Sequence, residues 1–197
     1  MRFVDLPESH HPLVSLRPIV DADLPVWYDY LSLSLVFEHT SWNLSSWQDL
    51  APYVWSADAR TESSLLRLAI ALRSSGQLVG TIGFHSVSPQ NRSAELAYDL
   101  SPSLWGRGIA TDACRTMVDW GHASAGLLRI QATALESNWR SAAVLQRCGF
   151  VREGLLRSYR MVRGRAGDFH MFAHVVEQLD KQPAGAQCVD SKTMGTT

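Results

Sequence analysis

The chain has 197 residues, of which 46% are hydrophobic and 19% carry a charge. Such a length suits one domain with a sizeable core, and the composition excludes an intrinsically disordered protein, which would be more polar and more highly charged. The formal net charge of −1 excludes a strong overall field, so a nucleic acid or another polyanion would have to bind a local patch.

The sequence shows no sign of membrane insertion, secretion or metal binding. No apolar run approaches the roughly 20 residues that cross a bilayer, and the first eight residues lack the apolar stretch of a signal peptide. Three widely spaced cysteines, Cys114, Cys148 and Cys188, form neither a paired-cysteine metal motif nor a framework of bridges. We therefore expect a cytoplasmic protein with reduced thiols, no membrane contact and no metal site.

The first half of the sequence predicts a strand, two helices and then three more strands. Residues 13–19 resemble a strand, and residues 22–31 a helix with one apolar side. The tryptophan-rich stretch 36–58 contains a second predicted helix, 47–54, and we expect this stretch to wall a cleft. Short polar turns separate the next three strands, which predicts an antiparallel meander. These strands are residues 65–72, 78–87 and 93–100.

The second half predicts alternating helices and strands, which indicates a βαβα arrangement. These elements are helix 109–123, strand 129–135, helix 141–148, strand 150–155 and a last strand, 167–176. We expect one domain over residues 1–180, of the α/β (α+β) class. Residues 181–197 are polar and rich in small residues, and they predict a disordered tail.

A glycine-containing turn precedes the second-half helix, and it reads Trp105-Gly106-Arg107-Gly108-Ile109-Ala110-Thr111. Glycines at the start of a helix let backbone N–H groups approach an anion, and the helix dipole favours negative charge there. Alternatively, Gly106 and Gly108 only form a tight turn. A dinucleotide-binding loop would need glycine in place of Thr111, and a P-loop would need a Lys-Ser or Lys-Thr pair that this region lacks.

The order of these features resembles that of the GNAT acetyltransferase superfamily: a meander, a glycine turn that opens a helix, a strand, and then the segments 136–142 and 145–150. Residues 104–113 are similar to the cofactor loop of the RimJ/RimL-like branch, the ribosomal-protein N-terminal acetyltransferases. The superfamily commonly has Gln or Arg where Trp105 stands, whereas this branch tolerates an aromatic residue. The resemblance covers residues 13–178. It implies a central mixed, mostly antiparallel twisted sheet, flanked by helices, whose splayed strands form an acyl-CoA cleft.

The resemblance implies acetyl-CoA as the cofactor and assigns most of its contacts. Backbone amides of residues 106–110 would hold the diphosphate of coenzyme A, Arg107 would add positive charge, and pantetheine would pair with the strand edge near residues 99–101. Asn138 stands where the superfamily places an amide side chain near pantetheine. The implied cofactor-binding residues are Asp99, Leu100, Ser101, Trp105, Gly106, Arg107, Gly108, Ile109, Ala110 and Asn138.

The resemblance also implies two catalytic residues, Glu95 and Ser141. Glu95 would deprotonate the attacking amine, which has no free lone pair as an ammonium, and Ser141 would protonate the leaving thiolate. Alternatively, Glu95 forms a cross-strand salt bridge and Ser141 caps the helix 141–148. Strand alternation puts Glu95 and Asp99 on one face, so we expect two carboxylates at the acceptor cleft.

These features predict an acetyl-CoA-dependent N-acetyltransferase that acts by direct transfer in a ternary complex. The acceptor would be a primary amine, either a protein N-terminus or a small molecule. We expect no direct binding of nucleic acid, and a homodimer is compatible with the sequence. Two alternatives remain: a non-catalytic acyl-CoA sensor, or a GNAT protein with another donor such as succinyl-CoA. A cysteine nucleophile is the weaker mechanism, because Cys114 and Cys148 fall in predicted helices. The arginines between 147 and 165 would meet the cofactor's 3′-phosphate, bind an acidic partner or form a solvated face.

Overall fold

A computed structural model of the protein describes residues 5–57 and 65–176. Within these residues, seven strands form one sheet in the order β1-β2-β3-β4-β5-β7-β6. The strands are β1 Val14–Pro18, β2 Leu66–Leu72, β3 Leu78–Ser88, β4 Ser93–Leu100, β5 Arg129–Leu135, β6 Val151–Val162 and β7 Arg165–Val175. Neighbouring strands are antiparallel except β4 and β5, which are parallel. This is the mixed, mostly antiparallel sheet that the resemblance implied.

Helices cover both faces of the sheet. In the described part of the chain they are α1 Leu24–Leu31, α2 Ser34–Phe37, α3 Ala51–Ala57, α4 Ile109–Ala123 and α5 Trp139–Arg147. On one face, Ile109 and Met117 of α4 share a core with Ile82 and Phe84 of β3. On the other face, Trp27 and Leu31 of α1 belong to a second core that also contains Ala69 and Leu78. Because both faces are covered, β2, which lies between β1 and β3, is buried along almost its whole length.

The parallel strands β4 and β5 are paired only at their first residues. The pairs are Ser93 with Arg129, Ala94 with Ile130 and Glu95 with Gln131. Beyond them β4 continues to Leu100 and, among the described residues, has no partner strand on this side, while its other edge stays paired with β3. The sheet is therefore splayed in its middle, as expected, and backbone groups of β4 are left open to a ligand.

Several predicted elements have the observed limits, and others differ for identifiable reasons. The limits of β4, α4 and β5 are confirmed. Helix α5 begins at Trp139, not at residue 141, because Oδ1 of Asn138 caps it by accepting the N–H of Ser141 at 3.0 Å. The strand predicted at 150–155 extends to Val162, since β6 continues into a hairpin with β7. The predicted tail, 181–197, lies outside the described residues, as does Cys188.

The predicted helix at 47–54 is composite. Residues Trp47–Leu50 form a 3-10 turn, and α3 continues from Ala51. Oδ2 of Asp49 accepts the N–H of Ser45 at 2.7 Å and that of Ser46 at 3.1 Å, which holds the start of the turn. The neighbouring stretch does wall a cleft, because His39 and Thr40 line the cavity described next.

Candidate active site

A cavity of about 740 Å³ opens beside the unpaired end of β4. Its walls come from α2 and the loop after it, the end of β4, the glycine turn, and the facing sides of α4 and α5. Cavities of this volume are typical of small-molecule and cofactor sites. Among the described residues, no group of three or more His, Cys, Asp or Glu side chains is arranged to hold a metal ion. No helix in that same part of the chain is long and apolar enough to span a membrane.

The glycine turn places a helix N-terminus at the cavity. Gly106 and Gly108 have φ angles of +78° and +80°, a left-handed conformation that favours glycine. Gly108 is the N-cap of α4, and Gly106, Gly108, Ile109 and Ala110 all line the cavity. The first N–H groups of a helix have no partner within the helix, and the dipole of a helix of 15 residues favours an anion at this end. The turn is therefore suited to bind a phosphate group.

Arg107 does not line the cavity. Its backbone carbonyl is held by His11, from the segment of residues 9–13. The Nε2 of His11 donates to the carbonyl oxygen of Arg107 at 3.1 Å, while Nδ1 of His11 accepts the N–H of Leu13 at 3.3 Å. The buried Ser9 donates its hydroxyl to Oδ2 of Asp112, in the first turn of α4, at 2.7 Å. Residues 9–13 therefore brace the glycine turn and the start of α4, which the sequence analysis did not predict.

Three arginines surround the cavity. Arg115, Arg140 and Arg147 line it, and the guanidinium of Arg140 lies 4.9 Å from the ring centroid of Trp105 and 4.7 Å from that of Trp139. Such contacts stabilise a cation and orient its planar group. Of the arginines predicted to meet a 3′-phosphate, Arg147 is the one that lines this cavity. The positive charge around the cavity suits a ligand with several phosphate groups.

Ser141 contacts Tyr98 at the wall of the cavity. The Tyr98 hydroxyl lies 2.8 Å from Oγ of Ser141 and 3.0 Å from its carbonyl oxygen. Both residues line the cavity, which Tyr98 reaches from β4 and Ser141 from the first turn of α5. The side chain of Asn138 also lies at this wall, and its Nδ2 donates to the carbonyl oxygen of His39 at 2.9 Å. Asn138 therefore fixes both the start of α5 and the loop after α2.

Glu95 is buried and does not line the cavity. Its Oε1 accepts the hydroxyl of Thr133 at 2.7 Å and the guanidinium of Arg160 at 2.9 Å. The Nε2 of His85 is 3.7 Å from the same oxygen. Burial lowers the pKa of His85, although the Glu95 carboxylate acts in the opposite direction. Glu95 thus lies in a polar cluster that joins β3, β4, β5 and β6.

Asp99 belongs to a separate buried network. Its Oδ2 accepts from Arg67 at 2.6 Å and from Thr81 at 2.8 Å, and its Oδ1 accepts the hydroxyl of Tyr30. The guanidinium of Arg67 is enclosed by the rings of Trp27, Trp42 and Tyr53. Glu95 and Asp99 share a strand face, and each accepts hydrogen bonds within the protein; of the two carboxylates, that of Asp99 belongs to a residue that lines the cavity.

The structure brings most of the predicted site residues to one cavity. Those that line it are Asp99, Leu100, Trp105, Gly106, Gly108, Ile109, Ala110, Asn138 and Ser141. Glu95 and Arg107 do not, and neither does Ser101, whose N–H donates to the carbonyl oxygen of Val79 at 2.8 Å. Tyr98 and Arg140 also line this cavity, and neither was predicted from the sequence. Because side chains alternate between the two faces of a strand, Tyr98 and Glu95 lie on opposite faces of β4. This alternation is the sequence pattern that could have indicated a separate role for Tyr98.

Neither of the two cysteines in the described part of the chain offers a nucleophile at this site. Cys114 is fully buried within α4. A hydrogen bond with the Cys148 thiol and burial raise the pKa of the Cys114 thiol well above its ordinary value. Cys148 donates its thiol to the carbonyl oxygen of Thr111 at 3.4 Å. Neither residue is among those that line the cavity.

Comparison with known proteins decides the family. Residues 14–151 match the profile of the acetyltransferase (GNAT) domain family. The chain belongs to the GNAT family. Its seven-stranded, splayed sheet and the glycine turn at the start of α4 are the features of this GNAT chain that form the cavity.

Individual relatives of this GNAT chain include curated proteins and a solved structure. An uncharacterized N-acetyltransferase, p20 of Bacillus licheniformis, is 35% identical over 116 residues, which are 59% of this chain and 65% of that protein. The ribosomal-protein-serine acetyltransferase of Escherichia coli is 29% identical over 101 residues, 51% of this chain and 56% of that protein. The match thus spans less than two thirds of either relative. The structure of Mycobacterium smegmatis RimJ in complex with CoA-disulfide has a TM-score of 0.71 and 30% identity, covering 84% of this chain and 83% of that one.

Proposed function

We propose that this GNAT chain transfers the acetyl group of acetyl-CoA to a primary amine, by direct attack of the amine on the thioester in a ternary complex. The observation that carries the proposal is a single cavity lined by two kinds of group. A helix N-terminus and arginines favour phosphate groups, and a pair of hydroxyl groups lies at the same cavity on β4 and α5. Acetyl-CoA carries the groups that suit this lining, namely phosphates, pantetheine and a thioester.

The groups that line the cavity suggest how the cofactor would bind. The N–H groups of residues 106–110 would bind the diphosphate, and Arg115, Arg140 and Arg147 supply positive charge near the remaining phosphate. Pantetheine, which contains amide groups, would hydrogen-bond the unpaired edge of β4 between Glu95 and Leu100. The M. smegmatis RimJ structure contains a coenzyme A derivative, which supports a coenzyme A ligand for this chain.

Two side chains would move protons during the transfer. As the amine nitrogen bonds to the acyl carbon, the amine loses a proton, which Glu95 would accept through water. As the carbon–sulfur bond breaks, the sulfur gains a proton, which Ser141 would donate from Oγ while Oγ takes a proton from water. Oε1 of Glu95 is occupied by Thr133 and Arg160, so Oε2 is the oxygen left to accept a proton.

For the acceptor, a protein N-terminus is our first choice and a small-molecule amine our second. The E. coli relative is named for acetylation of a ribosomal protein, and the same class of acceptor would suit a RimJ/RimL-like member. The cleft-lining residues Val36, His39 and Thr40 come from the segment that the sequence marks by its tryptophans, and they would contact the acceptor.

The test is release of free thiol from acetyl-CoA across a panel of N-terminal peptides, polyamines and amino acids, with the acetylated product identified by mass spectrometry. Succinyl-CoA is tested in parallel. Thiol release from succinyl-CoA but not from acetyl-CoA would identify succinyl-CoA as the donor. A thermal shift with coenzyme A but no turnover on any amine would favour the non-catalytic sensor. No shift and no turnover would contradict the proposal, since a ligand that binds the folded state must raise stability.

A further inference from the structure

The hydroxyl of Tyr98 is placed to control the proton of Ser141. It makes contact with Oγ of Ser141 at 2.8 Å and with the carbonyl oxygen of the same residue at 3.0 Å. Both residues line the cavity, so the pair lies where a ligand binds. In the transfer proposed above, on which this inference rests, Ser141 must donate its proton to sulfur. The direction of that hydroxyl therefore matters.

Two arrangements of the hydroxyl protons fit these distances. In the first, Tyr98 donates to the Ser141 carbonyl and the Ser141 hydroxyl donates to Tyr98, so the serine proton is hydrogen-bonded within the protein and does not point to the ligand. In the second, Tyr98 donates to Oγ, and the serine proton is left free to point into the cavity. The second arrangement leaves no carbonyl unpaired, because the carbonyl of a residue in the first turn of an α-helix such as α5 accepts the N–H four residues later.

The environment keeps Tyr98 a donor. Desolvation raises the pKa of its hydroxyl well above the ordinary value of 10.0, the neighbouring Cys114 thiol raises it further, and the hydrogen bond with Ser141 acts in the opposite direction. Tyr98 therefore stays protonated throughout the working pH range and does not itself supply the proton that leaves. It has one proton to donate, and when sulfur becomes negative the favoured direction is toward Oγ, because each hydrogen bond in a chain strengthens the next.

We propose that Tyr98 is a positioning residue: its hydroxyl donates to Oγ of Ser141 and so directs the serine proton to the leaving sulfur. No bond to Tyr98 is made or broken. Its ring remains part of the wall, and its effect passes entirely through Ser141. Removal of the Tyr98 hydroxyl should therefore weaken stabilisation of a thiolate only when Ser141 is present.

The experiment measures the pKa of the thiol of bound coenzyme A by the ultraviolet absorption of the thiolate. The complex with desulfo-CoA, which lacks the thiol, is titrated in parallel to subtract the protein's own groups. Wild type is compared with Tyr98→Phe, Ser141→Ala and the double variant, and Tyr28→Phe is the control. Tyr28 donates its hydroxyl to the carbonyl oxygen of Ser45 and does not line the cavity. Thermal melting verifies that each variant is folded.

We expect the bound thiol to titrate below free coenzyme A in wild type, because hydrogen-bond donors stabilise the anion. Ser141→Ala should raise the pKa by about one unit, the size expected for a hydrogen bond to a charged group. Tyr98→Phe should raise it by part of that amount, and the double variant should match Ser141→Ala. Once an acceptor is identified, turnover should be highest in wild type, lower in Tyr98→Phe and lowest in Ser141→Ala and the double variant. The KM for acetyl-CoA should change little.

Two results would overturn the inference in distinguishable ways. Tyr98 does not act through the serine if the bound thiol has the same pKa in Tyr98→Phe as in wild type. The same conclusion follows if the effects of Tyr98→Phe and Ser141→Ala on this pKa simply add in the double variant. In that case coenzyme A still binds, and the proposed function stands. If wild type does not bind coenzyme A at all, the proposed function fails together with the role of Tyr98.

Discussion

Arg160 donates a hydrogen bond from its guanidinium to Oε1 of Glu95 at 2.9 Å, between two residues that lie 65 positions apart in the sequence. The contact joins β6 to β4, although β5 and β7 lie between these strands in the sheet. Thr133 of β5 donates to the same oxygen. The salt bridge that the sequence left as an alternative for Glu95 therefore exists, and it fixes the carboxylate instead of leaving it on a solvated surface.

Replacement of Glu95 by glutamine tests its role as a base. The change keeps the shape but removes the proton acceptor, so we expect turnover on a true acceptor to fall by roughly 100-fold where the amine is protonated. Turnover should partly recover at higher pH as free amine accumulates. The control is Glu153→Gln, which removes a carboxylate that is paired with Arg129 at the surface. Wild-type turnover of Glu95→Gln across the pH range would assign the base to another group.

Replacement of Gly108 by valine tests the phosphate site. A Cβ at Gly108 meets no protein atom within 4 Å, so it would project into open space where the ligand is expected. We expect affinity for coenzyme A to fall by about tenfold, as measured by calorimetry, through loss of a charge-assisted hydrogen bond.

Gly164→Val separates this effect from backbone strain. Gly164, in the turn between β6 and β7, has a φ of +76° and is equally open, but it does not line the cavity. Both variants should lose about 1–2 kcal/mol of stability from the left-handed conformation. Equal affinities for coenzyme A in the two variants would show that the glycine turn does not contact the cofactor.

The buried pair of Arg67 and Asp99 should dominate stability. Arg67→Met leaves the Asp99 carboxylate buried without its cation, and we expect the free energy of unfolding to fall by about 3–5 kcal/mol. Arg129→Met is the matched change at an exposed pair, Arg129 with Glu153, and it should cost no more than about 1 kcal/mol. Denaturant unfolding measures both. Similar losses in the two variants would mean that water reaches the Arg67 site.

The histidine pair on α4 and β7 predicts a pH dependence of stability. Nε2 of His122 and Nδ1 of His174 are 2.9 Å apart. Burial, and then the charge of His122, lower the pKa of His174 below its ordinary value of 6.5. The unfolded chain thus binds this proton more readily than the folded protein, so stability rises with pH between the folded and the unfolded pKa and is lost as pH falls below about 6.5.

Thermal melting between pH 7.5 and 5 checks this dependence. His174→Gln should flatten the decline of the melting temperature on acidification relative to wild type. His10→Gln, at an exposed position, should leave the decline unchanged. His85, whose pKa is also lowered, contributes in the same direction, so some decline should persist in His174→Gln. An unchanged slope in His174→Gln would show that the pair does not couple to folding.

The sequence predicted those parts of this molecule that depend on local pattern. The limits of β4, α4 and β5 followed from apolar periodicity and from the glycine turn, and the splay followed from the family resemblance. Contacts between distant residues could not be predicted in this way. Arg67 lies in an apolar run, and nothing in that run indicates a carboxylate 32 positions later. The 43-residue separation of Tyr98 and Ser141 hid their contact for the same reason.

The bracing of the glycine turn by residues 9–13 bears on where the working unit of this protein starts. The family match begins at residue 14, so a fragment trimmed to that limit would omit Ser9 and His11. It would retain the glycines yet lose the hydroxyl that holds Asp112 and the imidazole that holds the Arg107 carbonyl. We expect such a fragment to bind coenzyme A more weakly than the full chain, and bulky fusion partners are better placed away from this segment.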